Sequence, residues 1–305
     1  MTTPLLDVRD LVVEYPTPNG SFRAVDGVSF SVARGDTLAV VGESGCGKST
    51  IARTLVRLNK PTSGSMVFDG TDLGGLTEKQ LRPHRHRIQM VFQDPYGSLD
   101  PHLTAQQIVA EPLRVRGGLS GRTVNARAAD LIERVGLPRT ALERKPVEFS
   151  GGQRQRIGIA RALASEPDLL VCDEATSALD VSVQAQVLDL LAELQREQGL
   201  TYLFISHNLG VVRAIAQHTV VMRSGRIVES GPTDQVLSAP QQEYTQRLRR
   251  SALVPGTMQG RKPRAVVRAI ALARRAENEL LARGGTDQHA QAGPDSPVAA
   301  APTPR

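Results

Sequence analysis

Eight consecutive residues, Gly42-Glu43-Ser44-Gly45-Cys46-Gly47-Lys48-Ser49, have the composition of a phosphate cradle. Glycines at 42, 45 and 47 let successive backbone amides turn toward one anion, and a helix starting behind them adds a partial positive charge. Lys48 can reach the β and γ phosphates of a nucleotide, and Ser49 offers a hydroxyl to Mg²⁺. Thr50 follows at the start of the helical pattern. A second acidic element comes later: the apolar stretch Leu169-Leu170-Val171-Cys172 ends on Asp173 and Glu174. At the tip of a strand facing a ligand crevice, Asp173 would hold Mg²⁺ through its water shell. Glu174 would orient the attacking water or take its proton.

Three further residues join these by position. Gln93 ends a short apolar stretch, where its amide could orient water or touch Mg²⁺. His207 follows another, where it could contact the γ-phosphate. Each alone has a plainer reading, a solvated glutamine and a structural histidine; the motifs around them tip the balance. Tyr15 ends the first strand-like stretch, where its ring could stack on adenine, the alternative being an edge-strand tyrosine.

These groups need a scaffold, and the sequence supplies one. Residues 37–41 form a short apolar run ending at the glycine loop, and a helical pattern over 50–58 stops at Pro61-Thr62-Ser63-Gly64. Strand patterns cover 5–15, 29–32, 66–70, 87–92, 168–172, 201–205 and a pair over 219–228 turning at Ser224-Gly225. A helix is expected over 181–198. From about 94 to 165 helical periodicity dominates, with breaks at Pro101, Gly117-Gly118 and Gly136-Leu137-Pro138. This predicts a helical subdomain inserted into an α/β core with a mainly parallel sheet covered on both faces. The nucleotide-binding domain is expected over 1–250. A basic helical tail is expected over 251–283, with the sharper reading that it rests on anionic lipid, and a disordered end over 284–305.

Composition sets the outer bounds. The chain has 305 residues, 40% hydrophobic and 22% charged, as expected of a globular protein with a substantial core. No apolar run approaches the roughly 20 residues that span a bilayer, and residues 1–10 lack a basic-then-apolar leader, so a cytosolic location is expected, with a membrane reached only through partners. The net charge is +6, but from Arg247 onward there are 11 Lys and Arg against 4 Asp and Glu, leaving 26 against 27 before it. The body therefore carries no polyanion footprint, and no nucleic-acid partner is expected. Cys46 and Cys172 read as reduced core thiols rather than a disulfide or metal set.

Ser150-Gly151-Gly152-Gln153, running into Arg154-Gln155-Arg156, resembles the signature of ATP-binding cassette (ABC) proteins. Residues 42–49 and 169–174 are similar to that superfamily's phosphate loop and acidic strand. Ser177-Ala178-Leu179-Asp180 is similar to its loop between two active sites, and Gln93 and His207 to its glutamine loop and switch histidine. The resemblance spans about 5–231. It implies a P-loop NTPase core with an antiparallel N-terminal β region, an inserted helical subdomain, and ATP with Mg²⁺ as ligands. It also implies two cassettes packed head to tail, identical or different, so that Ser150 and the amides of Gly151 and Gly152 cap the γ-phosphate of the partner's ATP, with Gln153 and Asp180 counted among the nucleotide-binding residues.

A closer resemblance is to ATPase subunits of dipeptide and oligopeptide importers. It is carried by residues 25–30, 41–50, 61–64 and Phe92-Gln93-Asp94-Pro95-Tyr96-Gly97-Ser98-Leu99-Asp100-Pro101. It implies two transmembrane permease subunits, an extracytoplasmic binding protein, and a position on the cytoplasmic face of the membrane. Tyr96 and Leu99 are the expected groove for a permease helix. The chain departs from the pattern at Phe149, where leucine is usual, and at Pro240-Gln241-Gln242-Glu243-Tyr244-Thr245, which lacks a His-Pro pair. Other cargo, such as nickel or an exported peptide, remains open, as does a soluble ABC ATPase acting on nucleic acid or the ribosome. A single cassette without a coiled-coil insertion disfavours the last.

Overall fold

All five residues of the strand that leads into the glycine loop are buried, and the molecule is built outward from it. The computed structural model describes residues 3–252 except 19, 95 and 178. The expected basic tail beyond 252 and the expected disordered end, 284–305, lie outside the described residues.

The chain opens with β1 (Leu6–Thr17), β2 (Gly20–Val32) and β3 (Thr37–Val41), then α1 (Lys48–Leu55), β4 (Ser63–Phe68), β5 (Thr71–Asp72), α2 (Glu78–Arg85) and β6 (Ile88–Val91). Three helices follow without an intervening strand: α3 (Ala105–Arg116), α4 (Gly121–Arg134) and α5 (Gly151–Leu163). The core resumes with β7 (Leu169–Asp173), α6 (Val181–Gln198), β8 (Thr201–Ile205), α7 (Leu209–Ile215), β9 (His218–Arg223), β10 (Arg226–Pro232), α8 (Thr233–Ser238) and α9 (Glu243–Ala252).

Six strands form the central sheet in the order β10-β9-β3-β8-β7-β6. The five from β9 to β6 run parallel and β10 is antiparallel to β9. Successive residues of β7 point to opposite faces, as the two-residue strand period requires. Leu169 and Val171 join a core with α1 and the N-terminal strands, while Leu170 and Cys172 join one with α3, α4, α5 and α6. Burial on both faces explains why the central strands read as unbroken apolar runs. A second, antiparallel sheet, β2-β1-β4-β5, covers α1.

The two sheets are pinned together by a ring of four charges. Arg87 donates to Asp69 and Asp168 at 2.6 Å each, and Arg34 reaches the same two carboxylates at 2.9 and 3.2 Å. Asp69 lies in the β4–β5 turn, while Arg87 and Asp168 precede β6 and β7. The Arg87 guanidinium holds the Asp69 carboxyl below the usual range, with Arg34 assisting.

Several elements differ from the sequence pattern. β2 begins at Gly20, not near 29, because its first four residues are exposed and carry no alternation. α1 starts at Lys48 and ends by Leu55; Arg57, at φ 59°, breaks it before Leu58. α2 is absent from the pattern altogether. It buries only Leu81 and contains Pro83, and it starts from a capping box between Thr77 and Gln80.

Candidate nucleotide site

The crevice lies where β3, β8, β7 and β6 end side by side, the place where an open α/β sheet presents its loops to a ligand. β3 delivers the glycine loop. Gly47 is the N-cap of α1 at φ 106°, a conformation natural to glycine, and a Cβ there would collide with the carbonyl oxygen of Ala24. The first amides of α1, those of Lys48, Ser49 and Thr50, have no carbonyl one turn back to bond and are presented at the loop. Glu43, Ser44 and Gly45 form its exposed tip. Lys48 is 4% exposed, and its ammonium donates to the carbonyls of Gly42 and Glu43 at 2.9 and 2.8 Å.

β7 brings its acids to the same loop. The Ser49 hydroxyl donates to Asp173 Oδ1 at 2.9 Å. Asp173 is buried, and burial pushes its carboxyl above the ordinary value, with the Ser49 hydrogen bond opposing. A buried carboxylate beside a hydroxyl is a hard oxygen donor pair that fits Mg²⁺. Glu174 follows at φ 47°, a left-handed conformation rare for a residue with a side chain. Its Oε2 accepts from Gln93 Nε2 at 3.1 Å, and His207 Nδ1 lies 3.3 Å from the same oxygen. Gln93 comes from the end of β6 and His207 from the end of β8, so three adjacent strands converge on one carboxylate oxygen.

The side chains of Ser150, Gln153 and Asp180 make their hydrogen bonds within their own segments. Ser150 caps α5: its hydroxyl accepts from the Gln153 amide at 3.3 Å, and the Gln153 side chain accepts from the Ser150 amide at 3.0 Å. Gly152 packs so closely on Val183 that a Cβ there would overlap it. The Asp180 carboxylate caps α6, accepting from the amides of Ser182 and Val183 at 3.1 and 3.0 Å. Tyr15 is paired across the hairpin with Phe22, and its hydroxyl accepts from Asn59 at 2.8 Å.

Burial pushes the Cys46 thiol up, and that of Cys172 to about 12. Leu99 is not available to a permease helix: it is 3% exposed and belongs to the core of the α3–α5 region. Tyr96 is 68% exposed, and its ring lies 3.5 Å from the guanidinium of Arg154. Arg154 also donates to the carbonyls of Pro146 and Val147 at 2.5 and 3.2 Å, just ahead of the 150–153 turn.

Sequence reasoning missed one residue at the loop. The Glu43 amide donates to the Tyr244 hydroxyl at 3.3 Å. Nothing in the pattern around Tyr244 signals this, because 201 positions separate the two residues.

A phosphate loop after one strand, an acidic pair after a second, and a polar group after each of two more define a P-loop nucleotide hydrolase. The ABC transporter family model matches residues 25–177. A probable peptide ABC transporter ATP-binding protein of Sinorhizobium fredii is 52% identical over 268 residues, covering 86% of this chain and 76% of its own. The oligopeptide transport ATP-binding protein AppF of Bacillus subtilis is 49% identical over 252 residues, 80% of this chain and 77% of its own. A dimeric ATP-binding cassette solved in a post-hydrolysis state with ADP and Pi is 29% identical, with TM-score 0.70, covering 75% of this chain and 98% of that one. The chain belongs to the ABC transporter family, and its chemistry is ATP hydrolysis.

Proposed function

We propose that this chain is the ATP-hydrolysing subunit that drives a membrane importer of dipeptides or oligopeptides. The observation that carries the chemistry is the Glu174 carboxylate, met by Gln93 and His207 and adjacent to the Ser49–Asp173 pair. In this reading Lys48 and the first amides of α1 hold the β and γ phosphates. Glu174 accepts a proton from water as the water oxygen bonds to the γ-phosphorus. The bond from phosphorus to the bridging oxygen breaks, giving ADP and inorganic phosphate. Gln93 and His207 fix the carboxylate and sense the γ-phosphate. Ser49, Asp173 and Gln93 would hold Mg²⁺; when bound, the ion supplies charge neutralisation on the phosphate oxygens.

Ser150, Gly151, Gly152, Gln153 and Asp180 face a second cassette in this reading, which they complete. Accepting from the Gln153 amide leaves the Ser150 proton free for a phosphate oxygen. Among the described residues no helix is long and apolar enough to cross a membrane. Two permease subunits and an extracytoplasmic binding protein would supply the path and the cargo, with this chain on the cytoplasmic face. The cargo reading rests on the names of the relatives.

The test is reconstitution with cognate permeases and binding protein in vesicles. Uptake of labelled di- or oligopeptide should require this chain and ATP and should be lost with Lys48→Ala. ATP turnover by the purified chain without any peptide uptake would reject the cargo and retain the ATPase.

A further inference from the structure

The Gly42–Glu43 peptide is engaged at both of its ends. Its carbonyl, Gly42 O, accepts from the Lys48 ammonium at 2.9 Å, and its N–H, on Glu43, donates to the Tyr244 hydroxyl at 3.3 Å. A cation on the carbonyl polarises the amide and makes its N–H a better donor, so the two contacts reinforce one another. Rotating this peptide would withdraw its carbonyl from Lys48 and its N–H from Tyr244, so both contacts would be lost together. The group that opposes the rotation comes from α9, which lies outside the segment 25–177 matched by the family.

Tyr244 is itself rigidly placed. The start of α9 is anchored to β10 by Glu229, whose two carboxylate oxygens accept from the amides of Gln241 and Gln242 at 2.7 and 3.2 Å. The Arg223 guanidinium, at the end of β9, lies 5.1 Å from the centre of the Tyr244 ring. Tyr244 and Leu248 pack together against a core that includes Val41, the residue immediately before the loop. The ring therefore has packing that phenylalanine would satisfy equally. The hydroxyl has a different partner, the amide of the loop.

We propose that Tyr244 is a positioning residue of the nucleotide site, holding the Gly42–Glu43 peptide so that Lys48 and the loop amides are preset for the phosphates of ATP. Through it, the position of α9 bears on ATP affinity: a shift of α9 away from the loop would break the Glu43–Tyr244 bond. Burial raises the Tyr244 pKa above its ordinary value, so the hydroxyl stays intact at neutral pH.

The inference rests on the phosphate-loop reading, and the experiment separates the two. ATP and ADP binding to the full chain is measured by titration calorimetry, alongside steady-state hydrolysis, for wild type, Tyr244→Phe, Glu43→Pro and the double variant. Tyr244→Phe removes one hydroxyl. The loss of one such hydrogen bond corresponds to a roughly three- to tenfold rise in Kd and KM for ATP, with kcat within about twofold of wild type. Glu43→Pro removes the N–H at the other end of the bond, so adding Tyr244→Phe to it should change Kd no further. A Kd that rises less than about threefold in Tyr244→Phe, a fall in kcat with KM unchanged, or the same effect of Tyr244→Phe in the Glu43→Pro background overturns the proposal. Wild-type protein that binds no ATP would instead reject the phosphate-loop reading.

Discussion

Ser49 and Asp173 stand 124 positions apart, yet the hydroxyl of one donates to the carboxylate of the other at 2.9 Å. The contact joins the first turn of α1 to the end of β7 and brings together two of the three residues expected to hold Mg²⁺. Replacing Asp173 with Asn keeps the volume and the Ser49 hydrogen bond but removes the charge. Its Mg²⁺ requirement for ATP turnover should rise by about 10- to 100-fold, the range seen when outer ligands of a metal are altered. Titration of activity with MgCl₂ at fixed ATP checks this. An unshifted Mg²⁺ curve would remove Asp173 from the metal site.

Glu174→Gln should slow hydrolysis by roughly 10²–10⁴-fold, the contribution of a positioned general base. ATP binding should persist, so the variant should accumulate as an ATP-bound dimer, visible by light scattering after gel filtration. A variant that turns over normally would exclude Glu174 as the base.

The two cysteines should differ in reactivity, although both are buried. Cys46 is 6% exposed in the loop, whereas Cys172 is 0% exposed and its thiol is pushed up to about 12. Iodoacetamide at neutral pH should therefore modify Cys46 slowly, and MgATP should slow it further. Cys172 should react only on unfolding. Peptide mass mapping over time distinguishes the two, and modified Cys46 should no longer allow ATP to bind. Full binding after complete modification would contradict the loop's role.

The ring formed by Arg34, Asp69, Arg87 and Asp168 gives a prediction with a definite pH sense. Asp69 has its folded pKa depressed below 3.8, chiefly by Arg87. A depressed carboxyl adds stability above its unfolded pKa and loses it as the pH falls through the folded value. Asp69→Asn should thus destabilise the protein at pH 7 by about 0.5–1 kcal/mol, a modest figure because the side chains are partly exposed and screened. The difference from wild type in urea midpoint should hold at and above pH 5, roughly a unit above the unfolded value, and shrink once the pH drops below it. A difference that persists unchanged at low pH would assign the effect to packing.

How far the sequence carried this picture depends on what each segment buries. β8 and α6 were legible to the residue, because the first is an unbroken apolar run and the second is bounded by Asp180 and Gly199. β3 and β7 were legible for the same reason as β8. The first half of β2 and all of α2 were not, since exposed residues carry no periodicity to read. Within the site, the loop spelled itself out in eight adjacent residues. The meeting of Gln93 and His207 on one oxygen of Glu174 could not be spelled, because it depends on the order of three strands. Leu99 was misplaced because an apolar residue beside an exposed tyrosine looks the same in sequence whether it faces a groove or a core. The bond from Glu43 to Tyr244 left no trace, since neither residue type nor spacing demands it.

The left-handed backbone at Glu174 carries a consequence of its own. Its φ of 47° suits glycine better than glutamate, and residues held there raise the energy of the native state. On the proposed reading of Glu174 as the base, the position is one where durability and turnover ask for different amino acids. On that reading, a breeding scheme that rewarded heat resistance alone would drift toward glycine at 174 and return a sturdier protein with no engine. Screens for robust variants of this chain must keep hydrolysis in the selection, or they will quietly disarm it.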